Sequence, residues 1–110
     1  MAYDEKLAGR VRDLLGKRAG LVEKKMFGGV AYLLEGNLAC GVHGDDLIVR
    51  FAPGETDAAL KKAHTRIFDL AGGRPMRGWL LVEPDGVKTA AALKKWVDIG
   101  VTYAASLPPK

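Results

Sequence analysis

A single cysteine, Cys40, stands among the 110 residues, so no internal disulfide can form and no cluster of cysteines can hold a metal. Long hydrophobic runs are missing. None approaches the roughly 18 apolar residues that a membrane span needs, and the opening MAYDEKLAGR carries no apolar signal core. Long runs of one charge are missing too. At most two like charges are adjacent, which excludes a basic or acidic arm. Gly72-Gly73-Arg74 has neither the three spaced glycines of a dinucleotide site nor the Gly-Lys-Ser/Thr ending of a phosphate loop. These absences predict a soluble protein in a reducing, cytoplasmic setting, away from membranes.

What is present suits one globular domain over residues 1–110. Chains of roughly 100–150 residues form single domains with a core of their own. The composition, 48% apolar and 27% charged, is that of an ordinary globular protein. The net charge of +4 comes from 17 basic residues scattered among 13 acidic ones. It permits an acidic partner without demanding one.

Asp4 can accept backbone N–H groups and start a helix. Behind it Tyr3, Leu7, Val11, Leu14 and Leu15 share one face, and Gly16 and Gly20 bracket the end. From Val22 the period changes to two. Val30, Tyr32 and Leu34 alternate with Ala31 and Leu33, and Gly36-Asn37 is a hairpin signal. The chain returns through Leu38, Cys40 and Val42, turns at Gly44-Asp45-Asp46, and leaves through Leu47, Val49 and Phe51, with Ile48 and Arg50 facing the other way. Short turns force antiparallel neighbours, so residues 23–51 read as a meander of three or four strands, with Gly28-Gly29 as the first bend.

Pro53-Gly54 ends that run. Thr56 is a candidate cap for a short helix through Ala59, Leu60 and Ala63. Residues 71–75 read as loop, followed by a strand in which Trp79 and Leu81 alternate with Leu80 and Val82, and a turn at Pro84-Asp85-Gly86. Thr89 caps a final helix whose Leu93, Trp96, Val97, Gly100 and Ala104 share a face. The expected fold is α+β, in two layers: an antiparallel sheet meander with the N- and C-terminal helices packed on one face.

Candidate chemistry is sparse. Cys40 and His43 have the residue types of a nucleophile and its base. Three positions apart on a strand they point to opposite faces, unless a bulge at Gly41 realigns them. His64, Asp45 and Asp46 would make a weak metal site with His43 only if the fold gathered them. A buried cysteine and turn-forming aspartates are the simpler reading, so an enzyme or small-molecule binder around Cys40, His43 and His64 is a distant alternative. Trp79 and Trp96 read as core or interface rather than as stacking platforms for bases. Lys24-Lys25, Lys61-Lys62 and Lys94-Lys95, with Arg74 and Arg77, would form a phosphate-facing patch if brought together, and nucleic-acid binding is the second reading. No cofactor is expected.

Four stretches occur in order: MFGG at Met26–Gly29, DDLIVR at Asp45–Arg50, GRPM at Gly73–Met76 and LKKW at Leu93–Trp96. Together they resemble the N-terminal domain of the TfoX/Sxy family, in its short, single-domain branch, over nearly the whole chain. The founding members are bacterial regulators of natural competence that act with the cyclic-AMP receptor protein and carry a further C-terminal domain. The resemblance implies a non-enzymatic co-regulator of transcription with a protein partner, a transcription factor of the cyclic-AMP receptor type. The residues matching the motifs are Met26, Phe27, Gly28, Gly29, Gly73, Arg74, Pro75 and Met76. With Arg77 they form the expected interaction surface, a rim made by the Met26–Gly29 bend and the Gly73–Arg77 loop. A monomer and a homodimer both fit the sequence.

Overall fold

The computed structural model describes residues 3–26, 29–62, 64–70 and 74–109. The chain runs α1 (Glu5–Leu15), β1 (Leu21–Met26), β2 (Gly29–Leu34), β3 (Asn37–His43), β4 (Asp46–Arg50), α2 (Thr56–Leu60), β5 (Thr65–Leu70), β6 (Arg74–Val82) and α3 (Ala90–Ser106). The six strands form one antiparallel sheet in the order β1-β2-β3-β4-β6-β5. This is the expected α+β architecture, with one departure from a plain meander: β6 inserts beside β4 and leaves β5 at the edge.

The helices start where their caps are. Asp4 Oδ1 accepts from the backbone N–H of Lys6 and Leu7 at 2.9 and 3.1 Å, and Thr89 Oγ1 accepts from that of Ala92 at 3.1 Å, filling donors that a helix start leaves open. Leu7, Val11 and Leu15 of α1 and Leu93, Trp96 and Val97 of α3 then bury against Val30, Tyr32, Cys40, Val42, Leu47, Val49, Leu80 and Val82. Those sheet residues are one face of the pleat, and that is the main core. A smaller apolar cluster of Ala31, Leu38, Ile48 and Leu81, edged by Leu33 and Trp79, occupies the other face.

Several expectations need correction. The β2–β3 hairpin turns on Glu35-Gly36, both at positive φ, and Asn37 is the first residue of β3. Ala39 has no register partner between Tyr32↔Cys40 and Leu33↔Leu38. This bulge breaks the alternation, so Leu38 packs on the second face instead of joining Cys40 and Val42. Thr56 is the first residue of α2 rather than its cap, which is Glu55, and the helix ends at Leu60; Ala63 lies outside the described residues. Residues 65–70 form a strand, and Arg74 and Pro75 belong to β6 rather than to a loop.

Candidate functional site

The helical side of the molecule carries a cleft between the segment leading into α2 and the outer face of α3. Two adjoining cavities, of about 550 and 260 Å³, share Phe51, Glu55 and Ile99. The floor is apolar, with Phe51, Ile99 and Trp96, while Glu55, Lys62, Lys95 and Asp98 stand on the rim. The rim charges are partly engaged. Lys94 Nζ lies 2.7 Å from Asp98 Oδ2, one helical turn away, and Lys62 Nζ sits 5.2 Å from the centre of the Trp96 ring. Phe51 lies where the two cavities meet. Its backbone N–H donates to Gly78 O at 2.9 Å, and the 3₁₀ turn Pro53–Glu55 packs on β6. Gly78 of β6 is thereby tied to Phe51 in the cleft.

A further cavity, of about 540 Å³, opens where the β2–β3 hairpin, the end of β4 and the last turns of α3 meet. Its polar centre is Arg50. The guanidinium lies 5.3 Å from the Trp79 ring and 5.0 Å from the Tyr103 ring, and Nη1 donates to Phe51 O and Gly78 O, both at 3.1 Å. Asn37, only 3% exposed, donates from Nδ2 to Pro108 O at 2.9 Å and seats the end of α3 over the hairpin. Arg50 closes the DDLIVR stretch, which gives no sign of its partners, and Tyr103 lies in no motif. They meet through the β4–β6 pairing and the docking of α3, contacts between residues far apart in the chain.

The Cys40–His43 pair does not form. The bulge lies at Ala39, and the register from Cys40↔Val49 to His43↔Asp46 is regular, so Cys40 faces the core and His43 the opposite side. Gly41 is needed there for another reason: a Cβ would collide with Val30 O. Cys40 is fully buried, and burial pushes its thiol up to about 12, which leaves almost no thiolate near neutrality. His64 precedes β5, and β6 lies between that strand and Asp46 on β4, with His43 one strand further on β3. Asp46 is bonded to Arg66, and Arg66 also reaches Glu83 at 3.6 Å. Burial raises the Asp46 carboxyl, against the pull of Arg66. Among the described residues no group of three or more His, Cys, Asp and Glu is placed to hold a metal.

The three lysine pairs do not converge. Lys61-Lys62 and Lys94-Lys95 border the α2–α3 side, whereas Lys24-Lys25 lie on the β1 edge strand.

The motif residues are also separated. Met26 pairs with Gly29 at one end of the β1–β2 edge; Arg74 pairs with Leu70 at the other end of the opposite edge, β5–β6. These two strand pairs lie at diagonal corners of the sheet. Gly29 has a structural duty, because a Cβ there would run into Val42 O on β3. Phe27, Gly28 and Gly73 lie outside the described residues, as do the side chains of Met26, Arg74, Pro75, Met76 and Arg77. Among the described residues no helix is long and apolar enough to cross a membrane.

The family model described as the TfoX N-terminal domain matches residues 13–104. No curated protein and no solved structure gives a significant match.

Proposed function

The chain belongs to the TfoX N-terminal domain family, and on that premise we propose that it is a cytoplasmic regulatory domain that binds another protein in the control of transcription. Membership is the observation that carries this reading, and the family is not a known enzyme family. The partner is a transcription factor of the cyclic-AMP receptor type, the partner implied by the resemblance to the competence regulators. It docks at the α2–α3 cleft and the adjoining Arg74–Arg77 stretch of β6. The support is compositional: an apolar floor of Phe51, Trp96 and Ile99 inside a charged rim has the anatomy of a protein interface. Because the rim carries Lys62 and Lys95 alongside Glu55 and Asp98, the occupant is an amphipathic helix whose apolar stripe is flanked by charges of both signs. The Met26–Gly29 bend is a separate contact in this reading, on the far corner.

The test is a titration of the purified domain against a purified receptor-type regulator bound to its DNA. Ile99→Arg places a charge on the cleft floor of a residue that is only partly buried, so the fold survives while affinity falls by about tenfold or more. Arg74→Ala weakens the same complex, and Phe27→Ala probes the far corner. Full affinity in both Ile99→Arg and Arg74→Ala would remove the cleft as the docking surface. Binding to DNA alone that weakens steeply with salt would favour the nucleic-acid reading.

A further inference from the structure

We propose that the cavity around Arg50 is a binding site for a small amphipathic carboxylate, a monoanion with an aromatic or branched apolar body. The inference stands on this cavity alone and does not depend on any protein partner. At about 540 Å³ the space falls in the range of roughly 300–1,000 Å³ typical of small-molecule sites. Its lining has the composition such sites share. Leu33, Leu38, Trp79, Tyr103 and Leu107 supply apolar and aromatic surface, and among the described lining residues Arg50 is the one charged side chain.

The arginine is held in place before any ligand arrives. Two aromatic rings lie beside the guanidinium, and Nη1 is fixed on the carbonyls of Phe51 and Gly78. The protein bonds described for Arg50 all use Nη1, and a guanidinium has further N–H donors in the same plane. That planar fork is the donor set that a carboxylate accepts from in pairs. A prefixed cation gives up little side-chain entropy on binding, which favours affinity at a small site.

Charge balance selects the ligand class. One guanidinium neutralises one negative charge. A phosphate monoester near neutrality carries more than one, and the excess would be left in a mostly apolar cavity, where uncompensated charge is costly. A neutral ligand would leave the cation without a counter-charge. A single carboxylate matches, and Leu33, Leu38 and Leu107 then face the rest of the molecule. The floor continues into the second apolar cluster of the sheet, through Leu33, Leu38 and Trp79, so the body of the ligand points away from water.

The experiment is a titration of ¹⁵N-labelled protein, followed by amide and indole NMR shifts. The probes are phenylacetate, indole-3-acetate and isovalerate, with phenylacetamide and inorganic phosphate as controls. The expected result is saturable shifts at Leu33, Leu38, Trp79 and Tyr103 with at least one carboxylate, and binding of phenylacetamide weaker by about tenfold or more, as loss of a charge-assisted pair requires. Arg50→Gln abolishes the carboxylate preference. Since Arg50 also ties β4 to β6, a second variant guards against misfolding: Leu33→Trp, at a partly exposed position, fills the apolar end and blocks binding with Arg50 intact. Several outcomes would overturn the assignment: no saturation by any carboxylate below about 5 mM, a dissociation constant weaker than roughly −3 kcal/mol; shifts that map elsewhere; phosphate binding as well as the carboxylates; or a folded Leu33→Trp that binds normally.

Discussion

Gly100, in the middle of α3, lies directly against the carbonyl oxygen of Ala39, the residue that bulges from β3. No Cβ fits between them. The helix therefore approaches the sheet most closely where the strand is irregular, and the two departures from regular packing occupy the same place.

Gly100→Ala weighs two effects of opposite sign. Alanine favours a helix interior over glycine by about 0.5–1 kcal/mol, whereas overpacking against a backbone that cannot yield costs about 1–3 kcal/mol. The contact is with a carbonyl and not with a flexible side chain, so the second effect wins. A lower urea midpoint than the parent is expected; a higher one would show that α3 slides freely on β3.

Alkaline pH should unfold the protein by way of two buried protons. Burial pushes both the Cys40 thiol and the Tyr32 phenol up to about 12, and the Glu23 carboxylate adds to the rise at Tyr32. Their ordinary values are 9.0 and 10.0. Between those values and about 12 the folded chain holds protons that the unfolded chain has released, so the contribution of these two groups is level below pH 9 and falls as pH rises. Urea midpoints at pH 8 and pH 10.5 measure the slope. The double variant Cys40→Ala, Tyr32→Phe should flatten it, and an unchanged slope would assign the titration to other groups.

Thiol reagents give an independent check on the same cysteine. Cys40 is fully buried at the centre of the sheet, so modification by a disulfide reagent at pH 8 should be slow and should follow the rate of opening as urea is added. Rapid reaction of the native chain would mean that β3 opens without global unfolding.

Tyr32→Phe isolates one hydrogen bond. The Tyr32 hydroxyl donates to Ala8 O at 3.1 Å and links β2 to α1 from within the core. Its loss is expected to cost about 0.5–1.5 kcal/mol, read as a fall in urea midpoint without change in the denaturant slope.

At the other end of the molecule, Asn37→Ala removes the donor that seats Pro108 O. Pro108 is exposed, so water can take the donor's place and the cost is that of one hydrogen bond, about 0.5–1.5 kcal/mol. The local sign is faster amide exchange at Leu107, whose N–H donates to Ala104 O; protection equal to the parent would show that the end of α3 holds without Asn37.

Both long helices were legible because each carries its start signal and its face: Asp4 with Leu7, Val11 and Leu15, and Thr89 with Leu93, Trp96 and Val97. The first four strands were legible because their turns are short and their pairing local. Three features were not. The Ala39 bulge has no glycine or proline to mark it, so Leu38 was assigned to the wrong face. β5, TRIFDL, has charged residues at both Arg66 and Asp69, which breaks the alternation, and it leads into a glycine pair that reads as loop. The β4–β6 pairing joins residues about thirty positions apart, and no local pattern encodes it. The Arg50–Trp79–Tyr103 arrangement depends on that pairing and was hidden for the same reason. The motif residues, by contrast, were easy to see and hard to place, since diagonal corners of a sheet become apparent only with the strand order.

That strand order also sets a timetable for the nascent chain. β1 to β4 can assemble as soon as Arg50 is available, but the open side of β4 waits for Trp79–Val82 to arrive. At roughly 5–20 residues per second, synthesis of the intervening segment takes about two to six seconds. Throughout that interval Leu47, Ile48 and Val49 stand on an unpaired strand edge, the kind of template on which neighbouring chains join. Crowding on a polysome is thus the circumstance in which this small domain is most vulnerable, well before any question of its folded stability arises.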